Sequence, residues 1–384
     1  MEKRIALLTN VISPHQLPLA KEIVKIASEA GFRYIYTQSN DQDHKDLAWA
    51  CEVPHWCIPA SSPEATDWLE NAQVLLSGLR EFDLFERRAA KGLVNLYMTE
   101  RWLKPPIGVL RLLHPRYLYY SRELCDMMSA GKLTGLPIGL HAARDMARLC
   151  GLLHGDWKCL FRAPQLDFER KPGGKIWLKN GGDGKRYCLD KTRMWGYFVE
   201  PSRFDALSVQ EAADTPRRTC RVLWVGRLLN LKRVDTIVRA VGEHANLKRV
   251  DTSLPTITLD IYGTGPEEQR LKKLAAEYGD AIKFFPPVPI AEVRRLMREH
   301  DVYVLSSNGY EGWGAVVSEA LEEGMKVLGT YEAGSSATIL PEECLFHAGD
   351  WRALLRRLQG EIPQVGIGDW TAKDAAEKLL HIDL

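Results

Sequence analysis

Along this chain, short apolar runs alternate with amphipathic stretches whose apolar positions recur at helical spacing. In the second half, runs at 220–226, 257–262, 282–286, 301–306 and 326–330 predict strands. The stretches 233–243, 267–278, 290–299 and 315–323 predict the helices between them. The first half is less regular, with strands expected at 4–9, 33–38, 55–59, 73–77 and 94–99. Such alternation predicts parallel, doubly wound sheets, because parallel neighbours must be joined by a crossover helix. Ligands of these sheets bind beyond the carboxyl ends of the strands. Between 160 and 200 the chain is rich in Gly, Lys and aromatic residues, including Gly173-Gly174, Gly181-Gly182 and Gly184, which predicts short strands and loops. The polar, proline-bounded stretch 201–218 is the expected linker between a domain at 1–200 and one at 219–365.

Composition changes this picture little. The chain has 384 residues, 45% hydrophobic and 26% charged, as in ordinary globular proteins that bury full cores. A net charge of +1 offers no global argument for a nucleic-acid or membrane partner. The eight cysteines form no C-x-x-C pair and the histidines show no zinc-like spacing, so free thiols in a reducing cytosol are expected. Met1-Glu-Lys-Arg-Ile-Ala-Leu-Leu-Thr9 enters a strand directly, without a signal-peptide pattern, and no apolar run is long enough to span a bilayer. A cytoplasmic protein is expected, peripheral on the inner face of a membrane if it touches one.

The most informative segment is Tyr310-Glu-Gly-Trp-Gly-Ala-Val-Val-Ser-Glu-Ala-Leu321, which follows the apolar run Asp301-Val-Tyr-Val-Leu-Ser-Ser307. A strand, a glycine turn and a helix start make an anion site, because the first helical N–H groups are unpaired. Glu311 and Glu319 flank the glycines, about two helical turns apart, and can face one ligand. That suits a ligand with a diphosphate between hydroxyl-bearing sugars.

The same segment resembles the E-x7-E signature of the retaining glycosyltransferases of family 4. Three further elements are similar to that family's: Val225-Gly-Arg-Leu-Leu-Asn-Leu-Lys-Arg-Val-Asp235, Asp260-Ile-Tyr-Gly-Thr-Gly-Pro-Glu-Glu268 and Phe284-Phe-Pro-Pro-Val-Pro289. Together they cover 220–345 in the family's order. The resemblance implies an α/β GT-B fold, two Rossmann-like doubly wound domains facing a central cleft, with a C-terminal helix (366–384) returning to the N-terminal domain.

It also implies roles. Arg227 and Lys232 would meet the charge that develops on the departing nucleotide, as fixed cations do in sites without a metal. Glu311 would bind donor-sugar hydroxyls near the anomeric carbon, and Glu319 the ribose hydroxyls. Gly312, Trp313, Gly314 and Ala315 would line the phosphate and sugar, although the family usually has Phe where Trp313 stands. Gly263 and Gly265 would line the nucleotide cleft. Alone, their G-x-G suggests a dinucleotide site, but Glu268 occupies the place of the third glycine. Val288 would meet the nucleobase. No D-x-D lies in a suitable loop, so neither metal nor cofactor is expected.

The acceptor side is less legible. After the first strand, Asn10, Ser13 and His15 are candidates for the diphosphate and acceptor; this loop lacks the family's glycine pair, and a capped helix start is the alternative. Glu100 stands where the family often has a histidine near the donor sugar, and His141 is a weaker candidate. From Arg87 to Arg122 eight basic residues face one acidic residue, Glu100, a balance of 8 − 1 = +7, interleaved with Trp102, Tyr117, Tyr119 and Tyr120. A solvated face over core is one reading; an anionic membrane surface or the phosphate of a lipid-linked acceptor is the sharper one. A nucleic-acid partner does not fit beside sugar-nucleotide motifs.

The expected activity is therefore transfer of a sugar, with retention, from a UDP- or GDP-linked donor to a glycan or lipid-linked acceptor, in bacterial surface polysaccharide or glycolipid synthesis. The alternatives are a non-catalytic sugar-nucleotide-binding or scaffold partner of another transferase and, less well matched, a nicotinamide-dependent dehydrogenase.

Overall fold

A computed structural model describes residues 3–38, 53–161, 166–170, 176–180, 194–202 and 219–381. The chain forms two compact units, Met1–Val199 with Gly368–Leu384, and Glu200–Ile367. Most of the expected linker, 203–218, lies outside the described residues.

In the first unit, strands β1 (Ile5–Thr9), β2 (Phe32–Tyr36), β3 (Cys57–Pro59), β4 (Val74–Ser77), β5 (Val94–Thr99) and β6 (Thr134–Pro137) form one parallel sheet of order β3-β2-β1-β4-β5-β6. Every residue of β1 is buried, which explains its unbroken apolar run: a central parallel strand is covered on both faces. Helices α1 (Leu17–Ala27), α2 (Pro63–Asn71), α3 (Phe82–Ala90), α4 (Pro115–Ser129) and α5 (Gly139–Leu153) accompany the sheet. Ser62 caps α2 by accepting a hydrogen bond from the Ala65 N–H. The last helix, Ala372–Leu380, packs on α1, and Lys3 reaches its Leu380 carbonyl at 2.9 Å. Strands β7 (Leu166–Arg170) and β8 (Ile176–Asn180) pair antiparallel in the 160–200 segment.

The second unit repeats the plan. Strands β9 (Thr219–Val225), β10 (Thr256–Tyr262), β11 (Ile282–Phe285), β12 (Val302–Leu305), β13 (Lys326–Thr330) and β14 (Leu345–Phe346) lie parallel in the order β11-β10-β9-β12-β13-β14. Between and after them run α6 (Val234–Val250), α7 (Glu268–Ala276), α8 (Ile290–Glu299), α9 (Val316–Glu322), α10 (Gly334–Ile339) and α11 (Trp351–Gln359). Ser202 is pinned at the unit's start: its N–H donates to Glu322 and its hydroxyl to Glu323. Arg294 and Arg298 both pair with the buried Glu323.

Cys57, Cys125, Cys159, Cys220 and Cys344 stand outside any disulfide, and the Cys125 sulfur lies 3.3 Å from that of Cys150. Among the described residues, no helix is long and apolar enough to cross a membrane.

Candidate functional site

Strand order reverses at two points, between β9 and β12 in the second unit and between β1 and β4 in the first. At such a switch point the loops leave the sheet to opposite sides and open a crevice.

At the β9/β12 point the crevice is built on backbone contact. Gly226, Gly263 and Gly265 have φ of 151°, 151° and 158°. A Cβ on Gly263 would stand 1.9 Å from the Gly226 carbonyl oxygen, and one on Gly265 2.5 Å from that of Leu228. The Leu228 N–H donates to the Thr264 carbonyl at 2.9 Å. The G-x-G glycines thus let the loops after β9 and β10 touch main chain to main chain. After β9, the turn Asn230–Lys232 is tied to the loop after β12: the Ser306 hydroxyl donates to the Lys232 carbonyl at 2.7 Å, and the Asn308 N–H to that of Leu231 at 2.9 Å. Arg233, in the left-handed region at φ 47°, turns the chain into α6.

This tie brings two of the candidate residues together. The Lys232 ammonium is hydrogen-bonded to the Glu311 carboxylate, which also accepts from Ser307 at 3.0 Å. Arg227 is exposed and pairs with no carboxylate among the described residues. Glu319 sits one turn into α9, where burial pushes its carboxyl up from the ordinary range; Arg294 opposes the shift and Glu323 adds to it. Sequence reasoning missed two residues here. Tyr303, on β12, looks like core and is fully buried, yet its hydroxyl lies 3.4 Å from the Val225 carbonyl. Burial, then Glu319 and Glu311, raise its pKa. Arg294, on α8, is the cation that faces Glu319 and Glu323, and nothing in its helical spacing marks it.

The Glu311–Ala315 turn is clamped from outside. Gly314 has φ 89°, and a Cβ on Gly334 would meet the Gly312 carbonyl oxygen at 2.1 Å. Ser335 donates its N–H to Trp313 and its hydroxyl to Gly314, both at 2.8 Å. The Trp313 ring is 2% exposed, so it anchors the turn from below. Ala315 stands at the cap position just before α9, and Val288 lies half-buried in the loop after β11. All these positions follow the carboxyl ends of β9 to β12.

At the β1/β4 point lies a cavity of about 440 Å³, lined by Asn10, Arg80, Glu100, Lys104, Tyr197 and others. The Thr9 and Tyr34 hydroxyls both donate to the Val11 carbonyl and fix the loop after β1. Asp145 accepts from the Leu103 N–H at 3.0 Å and pairs with Arg101 at 3.3 Å, fixing the loop after β5. Glu100 accepts from Tyr197 at 2.9 Å and from Lys104 at 2.8 Å. His15 stacks on Tyr197 with centroids 6.0 Å apart, and burial pushes its pKa down to about 4, so it is neutral near pH 7. Asn10 and Glu100 therefore share one cavity, with His15 packed on its Tyr197 wall. Ser13 forms the turn before α1, where its hydroxyl accepts from the His15 N–H at 3.2 Å. His141 is half-buried in the first turn of α5, apart from the residues that line the cavity.

Half of the eight cations of the +7 segment are paired in space. Arg87 and Lys91 pair with Glu70, Arg101 with Asp145 and Lys104 with Glu100. Arg88 is fully buried and donates to the carbonyls of Leu69, Ala72 and Val94 and to the Asn95 side chain. Among the described residues, no three His, Cys, Asp or Glu side chains converge to hold a metal.

Residues 210–360 match the family model described as Glycosyl transferases group 1. A stretch of 113 residues is 29% identical to the UDP-N-acetylglucosamine–peptide N-acetylglucosaminyltransferase GtfA subunit of Streptococcus pneumoniae, covering 29% of this chain and 21% of that one. A stretch of 161 residues is 32% identical to the D-inositol 3-phosphate glycosyltransferase of Acidothermus cellulolyticus, covering 39% and 35%. The chain thus spans about a fifth to a third of the length of these curated relatives. Anabaena HepE, solved with UDP and glucose, superposes with a TM-score of 0.52 at 12% identity, covering 98% of this chain and 95% of HepE. That likeness shows the fold, which is GT-B as the sequence resemblance implied.

Proposed function

We propose, from a glycosyl transferases group 1 domain on a GT-B fold, that the protein is a retaining, metal-independent glycosyltransferase of the family 4 type. Its donor is a nucleoside diphosphate sugar, UDP- or GDP-linked, and its acceptor a glycan or a lipid-linked glycan. UDP is favoured by the matched relative named for UDP-N-acetylglucosamine and by HepE, solved with UDP. The observation that carries the reading is the Lys232–Glu311 pair at the β9/β12 switch point, with the exposed, uncompensated Arg227 on the same stretch after β9.

The chemistry follows from charge. Breaking a sugar–diphosphate bond leaves added negative charge on the nucleotide, and a preorganised guanidinium and ammonium stabilise it most in the transition state. Glu311, already holding Lys232, keeps that ammonium oriented and has a second carboxylate oxygen for donor-sugar hydroxyls. Glu319, with its raised pKa, suits the ribose: it accepts hydroxyl hydrogen bonds that replace lost hydration. The leaving phosphate itself accepts the acceptor proton in front-face attack, so no separate general base is assigned.

The test is release of nucleoside diphosphate from a panel of UDP- and GDP-sugars with candidate acceptors, with and without EDTA. Retention is read from the anomeric configuration of the product. Tight donor binding without turnover for any acceptor would instead favour a non-catalytic sugar-nucleotide-binding partner.

A further inference from the structure

Beside the 440 Å³ cavity of the first unit lies a larger one, of about 840 Å³, which shares the wall residues Gly78, Arg80, Arg111 and Tyr117. Three arginines line it, Arg80, Arg111 and Arg116, and none pairs with a carboxylate among the described residues. Glu81, the acidic residue of the wall, is exposed and joined to none of them by an ion pair. Within the segment, Arg87, Lys91, Arg101 and Lys104 pair with Glu70, Asp145 and Glu100 and Arg88 is buried on carbonyls, whereas Arg111 and Arg116, like Arg80 just before the segment, have no such carboxylate.

The guanidinium groups are also held in place. Arg80 lies 4.7 Å over the Trp102 ring and 5.3 Å from that of Tyr120. Arg111 lies 5.8 Å over Tyr117, and Arg116 5.5 Å over Tyr120. Stacking on aromatic faces fixes a planar cation; Arg116 also gives two edge N–H groups to the Tyr120 hydroxyl at 3.3 Å, while a guanidinium has five to offer. The Arg111 Nε is buried with no hydrogen-bond partner among the described residues. A buried charged donor without an acceptor is costly, and an oxygen of a bound ligand removes the cost.

The same wall has an apolar lip. Ile107, just before the turn Gly108–Leu113, and Leu110 within it line the cavity and are 50% and 61% exposed. Large apolar side chains grouped at the mouth of a cationic cavity fit a ligand with a charged head and a hydrocarbon chain.

We propose that this cavity binds a phosphate-headed amphiphile, its phosphate on Arg80 and Arg111 and its hydrocarbon chain along Ile107 and Leu110. The occupant is one lipid-linked phosphate molecule, which makes the acceptor lipid-linked; the inference deepens the proposed transferase reading and rests on it. A phosphate monoester carries about two negative charges and three acceptor oxygens, matching three guanidinium groups better than a neutral glycan does. The shared wall puts the head beside the cavity that holds Asn10 and Glu100. A flat membrane surface is disfavoured because most cations of the segment are already paired or buried.

The experiment is binding of dodecyl phosphate, below its micellar concentration, to the full-length protein by calorimetry. Inorganic phosphate, dodecyl glucoside and vesicles of anionic or neutral phospholipid are the parallel arms. Dodecyl phosphate should bind at least about tenfold more tightly than inorganic phosphate, and dodecyl glucoside should not bind measurably. Arg80→Gln and Arg111→Gln should each weaken dodecyl phosphate by about tenfold or more. Leu110→Ser should weaken it without changing inorganic phosphate. Arg80→Lys keeps the charge and serves as the folding control. Equal affinity for inorganic and dodecyl phosphate, equal binding of the glucoside, or indifference to both arginines would overturn the proposal. So would anionic-vesicle binding that survives both substitutions, which would point to membrane docking. Donor turnover with a soluble acceptor, in a protein that ignores dodecyl phosphate, would sink this inference alone; amphiphile binding without any donor turnover would sink the transferase reading alone.

Discussion

The two units share one strand order and use it differently. Each has six parallel strands with the reversal beside its first strand, and each gathers its polar side chains there. In the second unit the crevice is made by local motif: glycine loops in backbone contact, a lysine and a glutamate tied across the switch point, and an uncompensated arginine. In the first, the cavity walls come from four loops far apart in sequence, held by Asp145, Tyr34 and stacked arginines. The same topology thus carries one site whose residues stand in recognisable motifs and one whose residues do not.

The sharpest way to break the comparison is to remove the charges of the second unit. Arg227→Ala or Lys232→Ala should lower turnover by about 100- to 1000-fold, measured as nucleoside diphosphate release. Lys232→Ala should also free Glu311 from its partner, so Glu311→Gln in that background should cost less than it does alone. Near-normal rates in both single variants would remove the leaving-group role.

Arg88 tests the claim that basic residues of the first unit divide into structural and ligand-facing sets. Its guanidinium, though pushed down to a pKa of about 10 by burial, remains charged at neutral pH and satisfies three carbonyls and an amide. Arg88→Ala strands those acceptors and should cost about 3 kcal/mol of stability or more, read by denaturant unfolding. Arg116→Ala should stay within about 0.5 kcal/mol, because its side chain is exposed and meets only Tyr120. Similar losses from both would erase the division.

Gly263 tests the backbone contact in the second unit. Gly263→Ala places a methyl 1.9 Å from the Gly226 carbonyl and should cost about 2 kcal/mol while weakening nucleotide binding, because the loop carrying Arg227 must move. An unaltered melting temperature would show that the two loops are not in firm contact.

Much of this was legible in the sequence, and the failures have physical reasons. Strand 94–99 and helix 290–299 agree with the structure to the residue; in the helix the buried Val293, Leu296 and Met297 follow its own apolar spacing. Helix α6 was expected to stop at 243, just past Gly242, but runs to Val250. That glycine does not end the helix; it admits the Tyr278 ring, whose atoms would lie 2.2 Å from a Cβ there. Strand β6, Thr-Gly-Leu-Pro, was missed because glycine and proline mark turns; at a sheet edge Pro137 forfeits no needed N–H. In the site, Lys232 and Glu311 were visible because each sits in a motif. Tyr303 was invisible because a strand buried at every position hides a polar tip among core residues. Arg88 and Arg111 looked alike in the +7 run, since their difference lies in partners such as Leu69 and Val94 that local charge pattern does not reveal.

The smallest expected effect separates binding from stability at Glu319. Its carboxyl titrates above the ordinary range because burial penalises the anion. The folded state therefore holds this proton more tightly than the unfolded chain does. The stabilisation is complete below the unfolded pKa, near 4.5, and is lost as pH rises through the folded value. Glutamine keeps the shape and never ionises. Glu319→Gln should therefore melt higher than the parent protein at pH 8, with the gap shrinking toward pH 5. Nucleoside diphosphate affinity should fall by about tenfold at pH 8, since a neutral amide accepts ribose hydroxyls less strongly than a carboxylate. Arg294 works against the first effect, because removing the Glu319 charge takes away part of its attraction; Arg294→Gln in the same background should widen the gap. Calorimetric melting at the two pH values, with titration of UDP and GDP, measures both effects. A gap that is equal at pH 5 and pH 8 would mean that Glu319 is hydrated in the folded protein, and the ribose assignment would lose its electrostatic basis.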